Sequence, residues 1–187
     1  MTSFDFGDGR GPVPAHRHTN GGGWVAETAR VNNEAYVGRE AQVYGKARVH
    51  GEAQVYGEAR VYGKTRVYGK TRVYGEARVY GKARVYGEAR VCGKARVCDK
   101  ARVYRGDWAL SPLYLVGTKD IIQVSSPTHV SIGCQEHTIE YWLDNYRSVG
   151  REHKYTDKEI EEYGFLIQTA AEWMRVRLPQ IQAMCDD

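Results

Sequence analysis

A valine recurs at every sixth position from Val25 to Val103, fourteen times without a miss. No other feature of the chain restricts its fold so tightly. The residue four positions after each of the first thirteen valines is small: Ala eleven times, and Thr at Thr65 and Thr71. Gly stands two positions after Val nine times in succession, from Gly45 to Gly93, so the consensus is V-Y-G-[KE]-A-R. A period of six does not fit the 3.6-residue turn of an α-helix, and Val with Gly every six residues is poor helix material. Within A-R-V-Y, Ala and Val lie two apart and share one face of a short strand, leaving Arg and Tyr on the other. Gly and the Lys or Glu after it turn the chain at a corner. Repeated strand and corner build a coil lined by Val and Ala, not a sheet of hairpins.

This pattern resembles the hexapeptide-repeat family, whose motif is an aliphatic residue with a small residue four later. The resemblance implies a mainly β fold: a left-handed parallel β-helix of triangular section with three hexads per coil. Thirteen hexads then give about 4 coils, a prism roughly 20 Å long at ~4.8 Å per rung.

If residues eighteen apart stack, columns can be read along the prism. One edge carries Lys46, Lys64, Lys82 and Lys100 at the corner and Arg48, Arg66, Arg84 and Arg102 on the strands. Beside them runs His50, Tyr68, Tyr86 and Tyr104. Neither cationic column contains an acid. The other two edges mix signs, with Glu40, Glu58 and Glu76 at one corner and Glu34, Glu52 and Glu88 at another. Residues 25–105 carry net charge +10 and residues 106–187 carry −6, so the overall +4 conceals a basic repeat and an acidic tail. Lys46, Arg48, Lys64, Arg66, Tyr68, Lys82, Arg84, Tyr86, Lys100 and Arg102 are the candidate anion- or partner-binding residues. The bland alternatives are a solvated face with Arg lying on Tyr rings, and an oligomer interface.

The ends of such a coil need covers. Three segments are expected: an N-terminal arm, 1–22; the repeat, 23–107; and a small α+β domain, 108–187. Trp24 is placed to plug the first coil, and His16 and His18 read as a solvated arm. The repeat is expected to stop at Asp107. Residues 113–118, 120–125 and 128–133 read as strands. A helix follows Thr138, with Ile139, Trp142, Leu143 and Tyr146 on one face and Gly150 as its end. A second helix starts at Thr156, where Glu159 completes a capping box, and its stripe is Ile160, Tyr163, Ile167, Ala170 and Met174. His18 with G-G-G-W before the repeat and I-G-C-Q-E-H-T-I-E-Y-W-L (132–143) after it resemble uncharacterised hexapeptide-like proteins of bacteriophages and prophages.

No run approaches 18 apolar residues, the start lacks a secretory core, and four Cys make no disulfide scaffold; a cytoplasmic protein is expected, in the host if phage-encoded. Cys92 and Cys98, one hexad apart, read as free thiols. Acyltransferases of the hexapeptide family use a His at a subunit interface, but His50 is the only His in the repeat and no loop breaks the register around it. Cys134 and His137 form C-x-x-H, half a metal site at best, with only His129 and His153 to complete it. No catalytic residue, metal or cofactor is assigned. The favoured reading is a non-catalytic phage-type binding or inhibitor protein, a homodimer or homotrimer whose basic strip meets an acidic host protein, nucleic acid or anionic nucleotide, away from membranes. A hexapeptide-type acyltransferase and a purely structural oligomeric scaffold are the alternatives.

Overall fold

A computed structural model describes residues 2–185, with side chains through Ile181. The hexads form a parallel β-solenoid. Each contributes a two-residue Arg-Val or Gln-Val strand, and strands eighteen residues apart pair in register, as in Arg48↔Arg66↔Arg84. Three parallel sheets result, each five strands deep within the coil, so the solenoid has five turns where the hexad count suggested about four. The difference lies at the C-terminal end. Asp107–Trp108 is not past the repeat but pairs with Arg90–Val91, a step of seventeen residues. The corner there is one residue short, and Trp108, fully buried, replaces Val as the inward residue.

The inward assignment holds from the third strand onward: every Val from Val37 to Val103 is fully buried, with Ala or Thr beside it, and Val31 in the first turn is half-buried. Outward residues donate their backbone N–H groups along the axis, as in Arg48 N–H to Thr65 C=O (3.0 Å) and His50 N–H to Val67 C=O (2.9 Å). The corners stack as well, and this explains their glycines. At Gly63 φ is +79°, and a Cβ there would lie 3.0 Å from the Gly81 backbone, so both the angle and the spacing favour glycine.

The N-terminal arm is a hairpin, Ser3–Phe4 with Val13–Arg17, laid antiparallel against Trp24–Ala26. Trp24 does not plug the coil. It occupies the outward Arg position, stacked on Phe4 at 4.4 Å under the Arg17 guanidinium. The plug is His18, which is buried and not solvated, and its Nε2 donates to Ala35 C=O at 3.0 Å. That carbonyl belongs to the first turn and has no preceding rung to serve it. His16 is exposed and pairs with Glu27.

At the far end Gln123 plays the same part. Its Oε1 accepts from Arg102 N–H at 2.9 Å and its Nε2 donates back to Arg102 C=O, so one buried side chain imitates the missing next strand. Gln123 lies in a four-stranded antiparallel sheet of Tyr114–Val116, Ile121–Val124, His129–Ile132 and Gln135–Thr138. Helix α1, Ile139–Glu152, starts on an N-cap from Thr138. Ile139 and Trp142 are buried as expected, whereas Leu143 is exposed. Gly150 does not end α1. It lets the helix approach Ile160, which a Cβ would meet at 2.8 Å, and the left-handed residue after the helix is Lys154. Helix α2, Asp157–Cys185, opens with the expected capping box, Glu159 Oε2 accepting from Thr156 N–H and Thr156 Oγ1 accepting from Glu159 N–H. Its stripe of Ile160, Tyr163, Ile167, Ala170 and Met174 is buried. Farther along, Leu178 and Ile181 pack beside Cys92, Ala109 and Tyr74 on the solenoid. Among the described residues no helix is long and apolar enough to cross a membrane.

Candidate polyanion-binding strip

The expected basic edge exists and is longer than the sequence columns made it. The sheet that holds Arg48, Arg66, Arg84 and Arg102 begins at Arg30, which pairs in register with Arg48. Five arginines therefore form one ladder. Arg30 was legible eighteen residues before Arg48, but its corner lacks the Lys that marks the others. Lys46, Lys64, Lys82 and Lys100 are all exposed at the adjoining corner. Tyr68 and Tyr86 stack at 5.2 Å and 7°, and Tyr86 and Tyr104 at 5.8 Å and 24°. His50 is exposed in the same column.

Among the described residues, no ladder arginine or corner lysine makes an ion pair, and none lies over an aromatic ring. The two mixed edges do find partners: Lys94 with Glu76 at 3.9 Å, Arg90 with Asp107 at 3.7 Å. At the ~4.8 Å rung spacing, two like charges repel by about 1 kcal/mol even in bulk water. The strip is thus a row of uncompensated cations fixed by the solenoid pitch. Its acid-free stretch ends at the last rung, where Lys100 and Arg102 share a groove of ≈ 240 Å³ with Asp120, Tyr114 and Gln123. Burial, and then the charge of Glu136, push the Tyr86 phenol above its usual range.

The other tyrosine columns are partly covered from within the chain. Tyr44 is buried beneath Phe6, with ring centroids 4.7 Å apart, and continues into Tyr62 and Tyr80. Tyr56 and Tyr74 stack at 5.0 Å, and Tyr74 meets the hydrophobic side chains of α2.

The thiols divide. Cys98 is free, but Cys92 is disulfide-bonded and buried, contrary to the expectation of two free thiols. Spacing within the repeat carries no information about what the rest of the chain lays against that face. Cys134 is free and exposed at a hairpin turn. His137 stacks on Tyr141 at 4.2 Å, and His129 Nδ1 lies 2.8 Å from Thr128 Oγ1. Among the described residues no three His, Cys, Asp or Glu side chains converge as metal ligands would.

The in-register stacking of hexads settles the class of the repeat. The chain carries a β-solenoid repeat. In agreement, residues 53–69 match the family described as the YdcK beta solenoid repeat. No curated protein and no solved structure matches the chain.

Proposed function

We propose that the protein is a non-catalytic binding protein whose rigid solenoid displays the strip from Arg30 to Arg102 to a partner carrying several negative charges. The observation that supports this reading is the register: five arginines and four lysines repeat along one edge, none of them in an ion pair among the described residues and with Asp120 near the last rung alone. The stacked rings of Tyr68, Tyr86 and Tyr104 present a row of ring edges beside the cations, an apolar rim for the partner. A row of point charges without a concave pocket favours a multivalent ligand, such as nucleic acid or an acidic protein face, over a single phosphate. The resemblance to phage and prophage proteins extends the reading to an inhibitor acting on an acidic host protein in the host cytoplasm.

The test is binding of a fluorescein-labelled single-stranded oligonucleotide, followed by anisotropy across a salt series. Affinity should fall steeply with salt, as release of several counterions requires. The Arg66→Glu/Arg84→Glu double variant should lose binding while keeping its melting temperature. Residues 106–187 carry −6, so a neighbouring copy's tail is the competing partner. If the double variant instead dissociates an oligomer seen by light scattering, the strip is an assembly surface. Unchanged binding and unchanged mass would leave a solvated face and end the proposal.

A further inference from the structure

A second site lies away from the strip, between the four-stranded sheet and the two helices. The tips of the first and third sheet hairpins and the α1–α2 connection line a cavity of ≈ 170 Å³. Its floor is apolar and aromatic: Ile132, Trp142, Ile160, Tyr163 and Ile167, all buried. One carboxylate stands on its wall, that of Asp120.

Asp120 is held with care. Its Oδ2 accepts from the Tyr155 hydroxyl, and its backbone carbonyl accepts from the Tyr163 hydroxyl at 2.6 Å. The side chain lies against Gly133, where φ is +59° and a Cβ would stand 2.8 Å from Oδ1. Gly117 makes the same allowance for Tyr163, whose hydroxyl a Cβ would meet at 2.6 Å. Burial, and then the bond to Asp120, push the Tyr155 phenol far above its usual range, so it stays protonated and remains a donor.

The carboxylate nevertheless has no counter-ion among the described residues. The adjacent cation, Lys119, also lines the cavity, but its ammonium is held by backbone carbonyls and not by Asp120. Its Nζ donates to the carbonyls of His153 (3.2 Å) and Lys154 (3.3 Å) and rests over the Tyr155 ring at 4.2 Å. Tyr155 supplies this carboxylate with one donor, and a cation in the cavity would add the charge partner that a carboxylate beside apolar walls lacks. Aromatic walls add to the attraction for a cation through their ring faces.

We infer that this cavity is a binding site for a small organic amine, its ammonium on Asp120 and a compact apolar body among Ile132, Trp142 and Ile167. The volume is below the range of drug-sized pockets, roughly 300–1,000 Å³, which restricts the ligand to a short aliphatic or single-ring amine. Asp120 also lines the groove of Lys100 and Arg102, so the cavity adjoins the end of the basic strip, but it takes a cation where the strip takes an anion.

Cys134 lines the cavity and is exposed, so its alkylation reports occupancy, with Cys98 as the reference thiol in the same molecule. The full chain is treated with a maleimide alongside isopentylamine, phenethylamine or isopentanol, and labelling at each thiol is followed by mass spectrometry. The amines should slow labelling of Cys134 several-fold at saturation and leave Cys98 unchanged, while the alcohol, equal in shape but uncharged, should protect little. Asp120→Asn should remove the protection at an unchanged melting temperature. If that variant fails to fold, the amine-against-alcohol comparison on the parent chain still decides. Equal protection by amine and alcohol, or none by either, overturns the inference. Tighter protection by Nα-acetyl-lysine methylamide than by isopentylamine also overturns it, because the occupant is then a lysine side chain of a partner.

Discussion

Thr65 and Thr71 occupy the inward small position that Ala holds in eleven other hexads, and both are fully buried with Oγ1 atoms that have no hydrogen-bond partner among the described residues. The repeat already shows that a methyl group suffices there. Thr65→Ala should therefore raise stability by about 1 kcal/mol, seen as a melting temperature about 2–4 °C higher. A lower melting temperature would mean that the Thr methyl fills space Ala leaves empty. Inward residues such as these are legible in the repeat itself, because a period of six with Val and Ala two apart allows one buried face. Cys92 is not. It shares the outward position with tyrosines, and only the chain laid over that face changes its environment. Leu143 fails in the same way: it shares the apolar stripe of α1 with Trp142, but nothing described packs over it.

Among the elements, the covers at the two ends of the coil show how a solenoid stops. Each uses one polar side chain, His18 or Gln123, to satisfy backbone groups that lack a neighbouring rung. Gln123→Leu keeps the bulk but leaves the Arg102 N–H and C=O without partners. It should cost about 1–3 kcal/mol, with faster amide exchange confined to the last turn. Gln123→Glu should be intermediate, since a carboxylate accepts from Arg102 N–H and donates nothing back. Neither cap was visible in sequence, for a buried His or Gln looks like any surface residue until its acceptor is known. Helix starts were visible, because Thr156 and Glu159 carry their chemistry at fixed spacing. The strand Gln135–Thr138 was not, since Q-E-H-T has no apolar alternation and pairs only because Gly133 turns the chain back. The α1–α2 connection also sets an alkaline limit. The Tyr155 phenol is pushed up in the folded chain, so its contribution is complete below the unfolded tyrosine value of about 10 and is lost as pH rises beyond it. Thermal melts should be level up to about pH 10 and fall above; in Tyr155→Phe that fall should be shallower. A fall that begins below the unfolded value would contradict the assignment.

Over the whole molecule, charge is divided between a basic coil and an acidic tail, and this division could be counted in the sequence. The columns also located the strip, apart from its first rung at Arg30. They could not show that Asp120 shares a groove with Lys100 and Arg102 at the last rung, because that placement depends on where the antiparallel sheet lands. Nor could they show the amine cavity, whose walls come from five segments with no shared spacing. The unit of eighteen residues has a further consequence for how such a chain can change. Duplicating residues 55–72 in tandem would insert one full turn, return both end covers to the same edges and lengthen the ladder by Arg66. The product should melt cooperatively and bind the oligonucleotide more tightly, with a steeper salt dependence. Inserting six residues instead would shift every later strand onto the next face. The arginines beyond the insertion would leave their column, and the C-terminal cap would sit a third of a turn from its present edge. Whole-turn duplication is thus a mutational route along which this protein can change its reach without changing its ends, and the shorter insertion is closed to it.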